Sequence, residues 1–187
     1  MILPIVGYGH PSLRRTNEDI TPDYPGLHTL IENMYETMYN ALGVGLAAPQ
    51  VNVAIRLFIV DGSALDEEEH QEKLSDFKKV FINPYILQET GVPWAFEEGC
   101  LSIPDLREDV RRAPDIVVRY LDEQFQEHTD AFSGMKARII QHEYDHIEGV
   151  LFVDRISPLR KRVIKSRLQK ISRGQVEASY PMKFPNT

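Results

Sequence analysis

Hydrophobic residues recur at the three-to-four-residue spacing of an α-helix in three stretches of the chain. The first covers Leu27–Leu42, and Gly43 is expected to stop that helix. The second is predicted over Ser133–Gly149, where the glycine suits the left-handed position that follows a helix. The third opens on Ser157-Pro158, an N-cap followed by a proline at the first helical position, and Gly174 lies just beyond its end.

Between the first two helices, short runs rich in β-branched and aromatic residues predict strands. Most of these runs are bounded by Pro, Gly, Asn or Asp, as strands usually are. The six runs are Arg56–Val60, Val80–Asn83, Tyr85–Gln88, Asp109–Arg112, Ile116–Leu121 and His128–Phe132. One helix, a set of strands and then two helices predict the α+β class, with mainly antiparallel sheets between an N-terminal and a C-terminal helix.

The composition is that of a globular protein. At 187 residues, with 42% hydrophobic and 26% charged, the chain is expected to form one domain or at most two small ones. No apolar run approaches the roughly 18 residues that a membrane span needs, and Met1–Tyr8 lacks the features of a signal peptide. Cys100 is the only cysteine, so no intramolecular disulfide can form, which agrees with a reducing compartment. We therefore expect a cytoplasmic protein with no membrane partner.

Charge is distributed unevenly along the chain. The net charge is −7, yet the segment Ser157–Arg173 holds seven basic residues and no acidic one, which leaves −14 for the rest. We expect the third helix to expose a solvated basic face. Its apolar stripe is predicted from Leu159, Val163, Leu168 and Ile171. The acidic stretch Leu65–Glu72 is predicted to be a solvated loop.

The second predicted helix carries His142-Glu143-Tyr144-Asp145-His146, an H-E-x-x-H motif. Two histidines four residues apart project from one face of a helix, so both imidazoles can reach one metal ion. Glu143 lies one residue round the helix, close enough to take a proton from water on that metal. Two histidines without a metal-binding role on an amphipathic helix would give the same sequence pattern. A metal site therefore requires a third ligand near this motif.

A catalytic metal takes a third protein ligand and keeps one position open for water. One metalloprotease class places a histidine six residues after the motif, but Phe152 stands there and cannot bind a metal. Beyond the helix only Glu177 is available as a glutamate ligand. The remaining choice is Cys100, in Glu98-Gly99-Cys100-Leu101-Ser102, although a lone cysteine is often only a small buried hydrophobe. A Cys/His/His set with one open position is the candidate.

Three motifs, in this order, resemble those of the peptide deformylase family. They are Gly43-Val44-Gly45-Leu46-Ala47-Ala48-Pro49-Gln50, then Glu98–Ser102, then Gln141–His146. The resemblance implies a metal-dependent hydrolase that removes the N-formyl group from the formyl-methionine of newly synthesised polypeptides and releases formate. It also implies sheets arranged around a central metal-binding helix. We assign residues 1–174 to one catalytic domain and expect a poorly ordered tail over residues 175–187.

The resemblance assigns roles to individual residues. One divalent metal is expected, Fe²⁺ in the cell, with Zn²⁺, Ni²⁺ or Co²⁺ able to replace it in purified protein. Water on the metal would attack the formyl carbon while Glu143 acts as general acid and base. The side-chain amide of Gln50 and the backbone N–H of Leu101 would stabilise the oxyanion. The implied metal ligands are Cys100, His142 and His146.

Further residues are expected around the substrate. Gly45 would hydrogen-bond the substrate backbone and Arg107 would contact the peptide, whereas Arg138 is predicted to lie across the pocket mouth. Glu98 and Asp145 are expected to orient ligands or helices. The methionine side chain would enter an apolar pocket, although ordinary core packing would use the same residues. The predicted pocket residues are Val44, Met135 and Ile139.

Two other functions stay open at this stage. A zinc endopeptidase would use the same H-E-x-x-H motif with a carboxylate or histidine as third ligand. Only the deformylase hypothesis therefore predicts that Cys100→Ala loses the metal. A ribosome-associated module with a structural metal ranks lower, because closed structural sites have four protein ligands.

The expected partners are nascent formyl-methionyl polypeptides and no DNA, and the protein is expected to be a monomer. The basic helix Ser157–Arg173 is a candidate contact with ribosomal RNA.

Overall fold

The computed structural model describes residues 1–65 and 72–185. Of the predicted acidic loop, only Leu65 and Glu72 fall in these ranges, so most of that prediction lies outside the described residues. Within the described ranges, no helix is both long enough and apolar enough to cross a membrane.

The first helix, α1, spans Leu27–Asn40 and ends earlier than predicted. Leu42, and not Gly43, adopts the left-handed conformation after the helix, with φ of 55°. The amide of Leu42 donates to the carbonyl of Tyr39 (3.0 Å), and the amide of Gly43 donates to the carbonyl of Met38 (2.9 Å). These bonds satisfy carbonyls that the helix end leaves open, so the stop signal acts one residue before the glycine.

The other two helices have the predicted boundaries. Helix α2 spans Gly134–Ile147 and helix α3 spans Pro158–Ser172. Gly149 and Gly174 follow them, each with φ of 71°, a conformation that glycine adopts without steric cost. The side chain of Ser157 accepts a hydrogen bond from a backbone amide in the first turn of α3, as an N-cap does.

Nine strands occur among the described residues, and the pairings between them are antiparallel except for one. Five form one sheet in the order β2-β3-β4-β7-β8, β5 and β6 form a hairpin, and β1 pairs with β9 in parallel. The α+β class with mainly antiparallel sheets is thus confirmed. The strands are β1 (Ile5–Val6), β2 (Gly45–Ala47), β3 (Leu57–Asp61), β4 (Lys78–Thr90), β5 (Trp94–Cys100), β6 (Ile103–Arg112), β7 (Asp115–Leu121), β8 (Glu127–Ser133) and β9 (Met182–Lys183).

Two predicted strands are a single one in the structure. Strand β4 runs through Pro84, with a register shift against β7 between Ile82 and Tyr85 and a positive φ of 48° at Asn83. A proline cannot donate a hydrogen bond to the ladder, and the irregularity accommodates it inside the strand. The sequence break at Pro84 therefore marks a bulge and not a strand end.

Strand β5 and the first part of β6 were missed. Glu97 and Glu98 interrupt the apolar residues of β5, and the buried positions of β6 alternate with charged ones such as Asp105 and Arg107. These strands form a two-stranded hairpin outside the main sheet, so they need only one apolar face.

The main sheet is buried on both faces. In β3, Phe58 and Val60 belong to a hydrophobic cluster with residues of α2, whereas Leu57 and Ile59 belong to a second cluster with residues of α1. Alternate side chains of a strand point to opposite faces, so the sheet lies between the two helices.

Helix α3 docks through a stripe that differs from the predicted one. Ile164 is buried together with Leu168 and Ile171, but Leu159 is 69% exposed and Val163 is 60% exposed. At 100° per residue Leu159 lies about 180° round the helix from Leu168, which explains why the expected stripe was wrong at that position. The outer face of α3 is therefore both basic and partly apolar.

The segment after α3 packs against the rest of the chain, contrary to the expectation of a poorly ordered tail. Strand β9 pairs with β1, and the backbone amide of Ile5 donates to the carbonyl of Pro181 at 2.9 Å. Phe184 is buried, and its ring fills the space beside Gly7 that a side chain there would need. The two apolar segments bury each other, which a reading of local composition could not anticipate.

Candidate metal and catalytic centre

Three side chains with metal-binding atoms converge where α2 meets the end of β5. Ligand atoms of Cys100, His142 and His146 all lie within 4.8 Å of one another. The sulfur of Cys100 is 3.3 Å from Nε2 of His146. The structure therefore brings together the three side chains expected as ligands.

Local structure explains how these side chains meet. The two histidines lie one turn apart on α2, with ring centroids 5.2 Å apart. The hairpin changes register between Gly99 and Cys100, and such a bulge re-aims the side chain that follows it. Phe152, at the position where one metalloprotease class has its third histidine, is buried with its ring stacked on His142 at 6.2 Å.

Glu98 holds one of the histidines in place. Its carboxylate lies 3.0 Å from Nδ1 of His142, which leaves Nε2 as the available ligand atom of that ring. Arg112 donates to both oxygens of Glu98, at 2.7 and 2.9 Å. Burial alone would raise the pKa of Glu98, but the hydrogen bonds from Arg112 and His142 lower it well below its usual range. Glu98 is therefore a buried carboxylate that stays ionised.

Glu143 is buried beside the cluster and is 4% exposed. Burial raises the pKa of Glu143 to about 7, so its carboxyl group can gain or lose a proton near neutral pH. Its Oε2 has no hydrogen-bond partner among the described residues. A buried oxygen without a partner is costly and points to a ligand that is not part of the chain.

The residues present fit a divalent cation. One thiol and two imidazoles are donors that suit Fe²⁺ and Zn²⁺. Burial disfavours a charged His142, yet hydrogen bonds with Cys100 and Glu98 raise its pKa well above the usual value, as expected for an imidazole beside anionic groups. Burial lowers the pKa of His146 well below the usual value, so this imidazole is in the neutral form that binds metals.

Gln50 is held beside the cluster. Its Oε1 accepts a hydrogen bond from the backbone amide of Ala47 at 2.8 Å, which directs its Nε2 toward Cys100 and Ser102. The distances from Nε2 are 3.6 Å to Sγ of Cys100 and 3.2 Å to Oγ of Ser102. Leu101 lies between these two residues in the sequence. The two expected oxyanion donors, the Gln50 side chain and the Leu101 N–H, therefore belong to the same part of the site.

A cavity of about 980 Å³ opens onto the cluster. Gly45, Gln50, Arg107 and Glu143 line it, as do the other hairpin residues near the turn between β5 and β6. Its apolar lining includes the three residues predicted for the methionine pocket, Val44, Met135 and Ile139. The site thus offers an apolar space directly beside the metal-binding atoms.

Arg138 does not lie across the mouth of this cavity, where it was expected. It is 2% exposed, and its guanidinium donates to Glu98 at 2.6 Å and to the carbonyls of Val110 and Trp94. These hydrogen bonds compensate for the water that the guanidinium gives up when it is buried. The structure therefore places Arg138 with the carboxylate that holds His142.

Comparison with known proteins gives a consistent family. A profile of the family described as Polypeptide deformylase matches residues 2–162. The chain is 56% identical over 191 residues to a peptide deformylase of Christiangramia forsetii, with 100% of this chain and 97% of that one covered. It is 55% identical over 189 residues to a peptide deformylase of Flavobacterium johnsoniae, with 98% and 96% covered. A crystal structure of a peptide deformylase from Legionella pneumophila superposes with a TM-score of 0.80 at 36% identity, covering 94% of this chain and 98% of that one.

The chain belongs to the polypeptide deformylase family. It is therefore an enzyme, and the reaction of this family is the removal of the N-formyl group from nascent peptides. The matches support this expectation and not the zinc endopeptidase or the structural-metal module.

Some residues of this deformylase centre escaped sequence reasoning. Arg112 links Glu98 to Asp145, donating to the latter at 2.8 Å, and Arg155 holds Asp145 from the other side at 2.6 Å. Asp145 was expected to orient neighbouring groups, and the structure places it in this buried network. An arginine in a strand carries no local signal of such a partner. Spacing would have shown only that the buried positions of β6 alternate.

Proposed function

We propose that the chain removes the formyl group from the N-terminal formyl-methionine of newly synthesised polypeptides by metal-dependent hydrolysis, releasing formate. The observation that carries the proposal is the position of Glu143, a buried carboxylate beside the cluster of Cys100, His142 and His146 on a cavity with an apolar wall.

One divalent metal would be held by the three side chains of this cluster. When bound, such an ion polarises a carbonyl oxygen and lowers the pKa of water. The thiolate of Cys100 adds negative charge and makes the site softer than an all-nitrogen one. We propose Fe²⁺ as the metal in the cell, with Zn²⁺, Ni²⁺ or Co²⁺ able to replace it in purified protein.

Glu143 would move the proton during hydrolysis. With a pKa of about 7, its carboxylate accepts a proton from the attacking water and then returns it to the leaving amine. Gln50 and the backbone N–H of Leu101 would donate to the oxygen of the formyl group as negative charge develops there. Gln50 is already fixed by Ala47 and Ser102, so it pays no reorganisation cost at that moment.

Val44, Met135 and Ile139 would enclose the methionine side chain, since all three line the cavity beside the cluster. Gly45 would bind the substrate backbone, and Arg107, which is exposed on β6 and lines the same cavity, would contact the peptide beyond the methionine. Arg138 lines the same cavity and donates to Glu98, so it would support the wall of the site beside the substrate.

The test is turnover of a formyl-methionyl tripeptide by anaerobically purified protein, with metal content measured on the same sample. Formate release should track iron, and Glu143→Ala should lower it by roughly 100-fold or more while the metal stays bound. Cys100→Ala should lose the metal. Cleavage of internal peptide bonds by a zinc-loaded sample, without formate, would contradict the proposal.

We also propose a monomeric, cytoplasmic enzyme that contacts ribosomal RNA through α3. The support is the outer face of this helix, where Arg162, Lys165 and Arg167 are exposed beside Val163. Phosphate contacts made by such residues weaken steeply with salt. Ribosome binding that is independent of salt, or that survives charge reversal at these three basic positions, would contradict the contact.

A further inference from the structure

Tyr180, in the segment between α3 and β9, reaches the turn that carries a metal ligand. Its hydroxyl donates a hydrogen bond to the backbone carbonyl of Leu101 at 2.8 Å. Both side chains are partly buried against the same hydrophobic cluster, and both residues line the catalytic cavity. A residue 79 positions away in the sequence thus holds the residue whose N–H is the proposed oxyanion donor.

The turn around Leu101 is held from several sides. Ser102 accepts at its carbonyl from the amide of Tyr8 at 2.8 Å, and its hydroxyl lies 3.2 Å from Nε2 of Gln50. Cys100 and Ser102 are therefore fixed by the cluster and by Gln50, respectively. Leu101 lies between them, and the hydrogen bond from Tyr180 restrains its carbonyl.

Tyr180 is itself anchored by the pairing of the two terminal segments. The amide of Ile5 donates to the carbonyl of Pro181 at 2.9 Å, and the amide of Gly7 donates to the carbonyl of Lys183 at 2.8 Å. Tyr8, which binds Ser102, directly follows this pairing. Tyr8 and Tyr180 therefore both bind the turn at residues 101–102, and both flank the paired strands β1 and β9.

We propose that Tyr180 is a positioning residue, which aims the backbone N–H of Leu101 at the oxygen of the formyl group. This inference rests on the proposed function. The N–H of Leu101 belongs to the peptide group before its Cα atom and the carbonyl to the group after it. Tyr180 fixes the second group and the cluster holds Cys100 before the first, so the two restraints together limit the backbone rotation that would turn the N–H away. Donors that stabilise developing charge act best when their direction is set before the reaction.

The test compares Tyr180→Phe with Tyr35→Phe, each measured with its metal content. Tyr35 is a matched control, because its hydroxyl also donates to a backbone carbonyl, that of Lys79 at 3.1 Å, which lies on β4 of the main sheet and not in the lining of the cavity. Tyr180→Phe should lower kcat by roughly 3- to 10-fold with KM and metal content unchanged, as expected for the loss of one hydrogen bond. Tyr35→Phe should leave kcat unchanged.

A second readout does not depend on activity. Hydrogen exchange of zinc-loaded protein, followed by mass spectrometry on a peptide containing residues 100–103, should be faster in Tyr180→Phe than in wild type and unchanged in Tyr35→Phe. An unchanged kcat in Tyr180→Phe, or a loss of kcat that follows loss of metal, would overturn the role of Tyr180 alone. If hydrogen exchange at residues 100–103 differs between wild type and Tyr180→Phe as expected but the wild type releases no formate, the proposed function is overturned instead.

Discussion

The carboxyl group of Glu143 occupies the space in which a side chain at residue 45 would lie. An ideal Cβ atom placed on Gly45 would be 2.7 Å from Cδ and 2.8 Å from Cγ of Glu143. Contacts that short are not tolerated, so any side chain at this position must displace either the carboxylate or strand β2.

Gly45→Ala is therefore expected to lower kcat by about 10- to 100-fold, because a displacement of about 1 Å in a catalytic group can cost that much. Metal content should not change, since the three atoms nearest to the added Cβ all belong to Glu143, which is not one of the ligands. Gly26→Ala is the control: it strains a glycine with φ of 71° that has nothing within 4 Å of its missing Cβ. That variant should lose stability and keep kcat, and a normal kcat in Gly45→Ala would contradict the prediction.

Arg112 neutralises two buried carboxylates, Glu98 and Asp145. Arg112→Met should lower the free energy of unfolding by about 2–3 kcal/mol, because each buried carboxylate loses one charged partner and keeps another, Arg138 for Glu98 and Arg155 for Asp145. Metal affinity should fall with it, since the carboxylate that orients His142 would lose two of the hydrogen bonds that fix its position. Arg111→Met, next to it on the exposed side of β6, should cost less than about 1 kcal/mol in urea denaturation. Equal losses in the two variants would argue against the network.

Leu42 follows α1 with a positive φ and is 89% exposed. Leu42→Gly should raise the free energy of unfolding by about 0.5–1 kcal/mol, because the relief of left-handed strain exceeds the added flexibility of the unfolded chain. Glu32→Gly, at an exposed position inside the same helix, should instead lower it by about 1 kcal/mol. Thermal denaturation of both variants measures the difference, and destabilisation by Leu42→Gly would count against the strain.

Asp154 predicts acid sensitivity away from the catalytic centre. Burial raises its pKa, but hydrogen bonds from Arg14 and from the amide of Leu151 outweigh this and lower the pKa below the usual range. A carboxyl group of this kind stabilises the fold above its unfolded pKa of about 3.9 and loses that contribution as pH falls through its folded pKa. Asp154→Asn should be less stable at neutral pH and should show a flatter loss of stability below about pH 4. Urea denaturation at a series of pH values measures this. The prediction is refuted if the free energy of unfolding of Asp154→Asn falls with decreasing pH as steeply as that of the wild type.

The parts of the site that lie close together in the sequence could be predicted from it. His142, Glu143 and His146 share one helix, so helical spacing alone places both imidazoles on one face. Caps at Ser157 and Gly149 are equally local signals, and the structure has both where they were expected.

Residues that act across long stretches of sequence could not be predicted in this way. Arg112 and Tyr180 each take their role from a partner that the fold brings to them, and an isolated arginine or tyrosine carries no mark of that partner. Arg138 shows the opposite error, since helical spacing placed it correctly near His142 but could not say that Glu98 would draw its guanidinium inward.

The parallel pairing of β1 with β9 has a consequence for the enzyme's own synthesis. Ile5 is synthesised early, yet its partner Met182 is added roughly 9–35 s later at ordinary translation rates of about 5–20 residues per second. Helices and the main sheet can fold in that interval, but the turn at Leu101 lacks Tyr180 until the interval ends. By this order of assembly, a growing chain acquires its catalytic geometry only after nearly all of the described residues have been made.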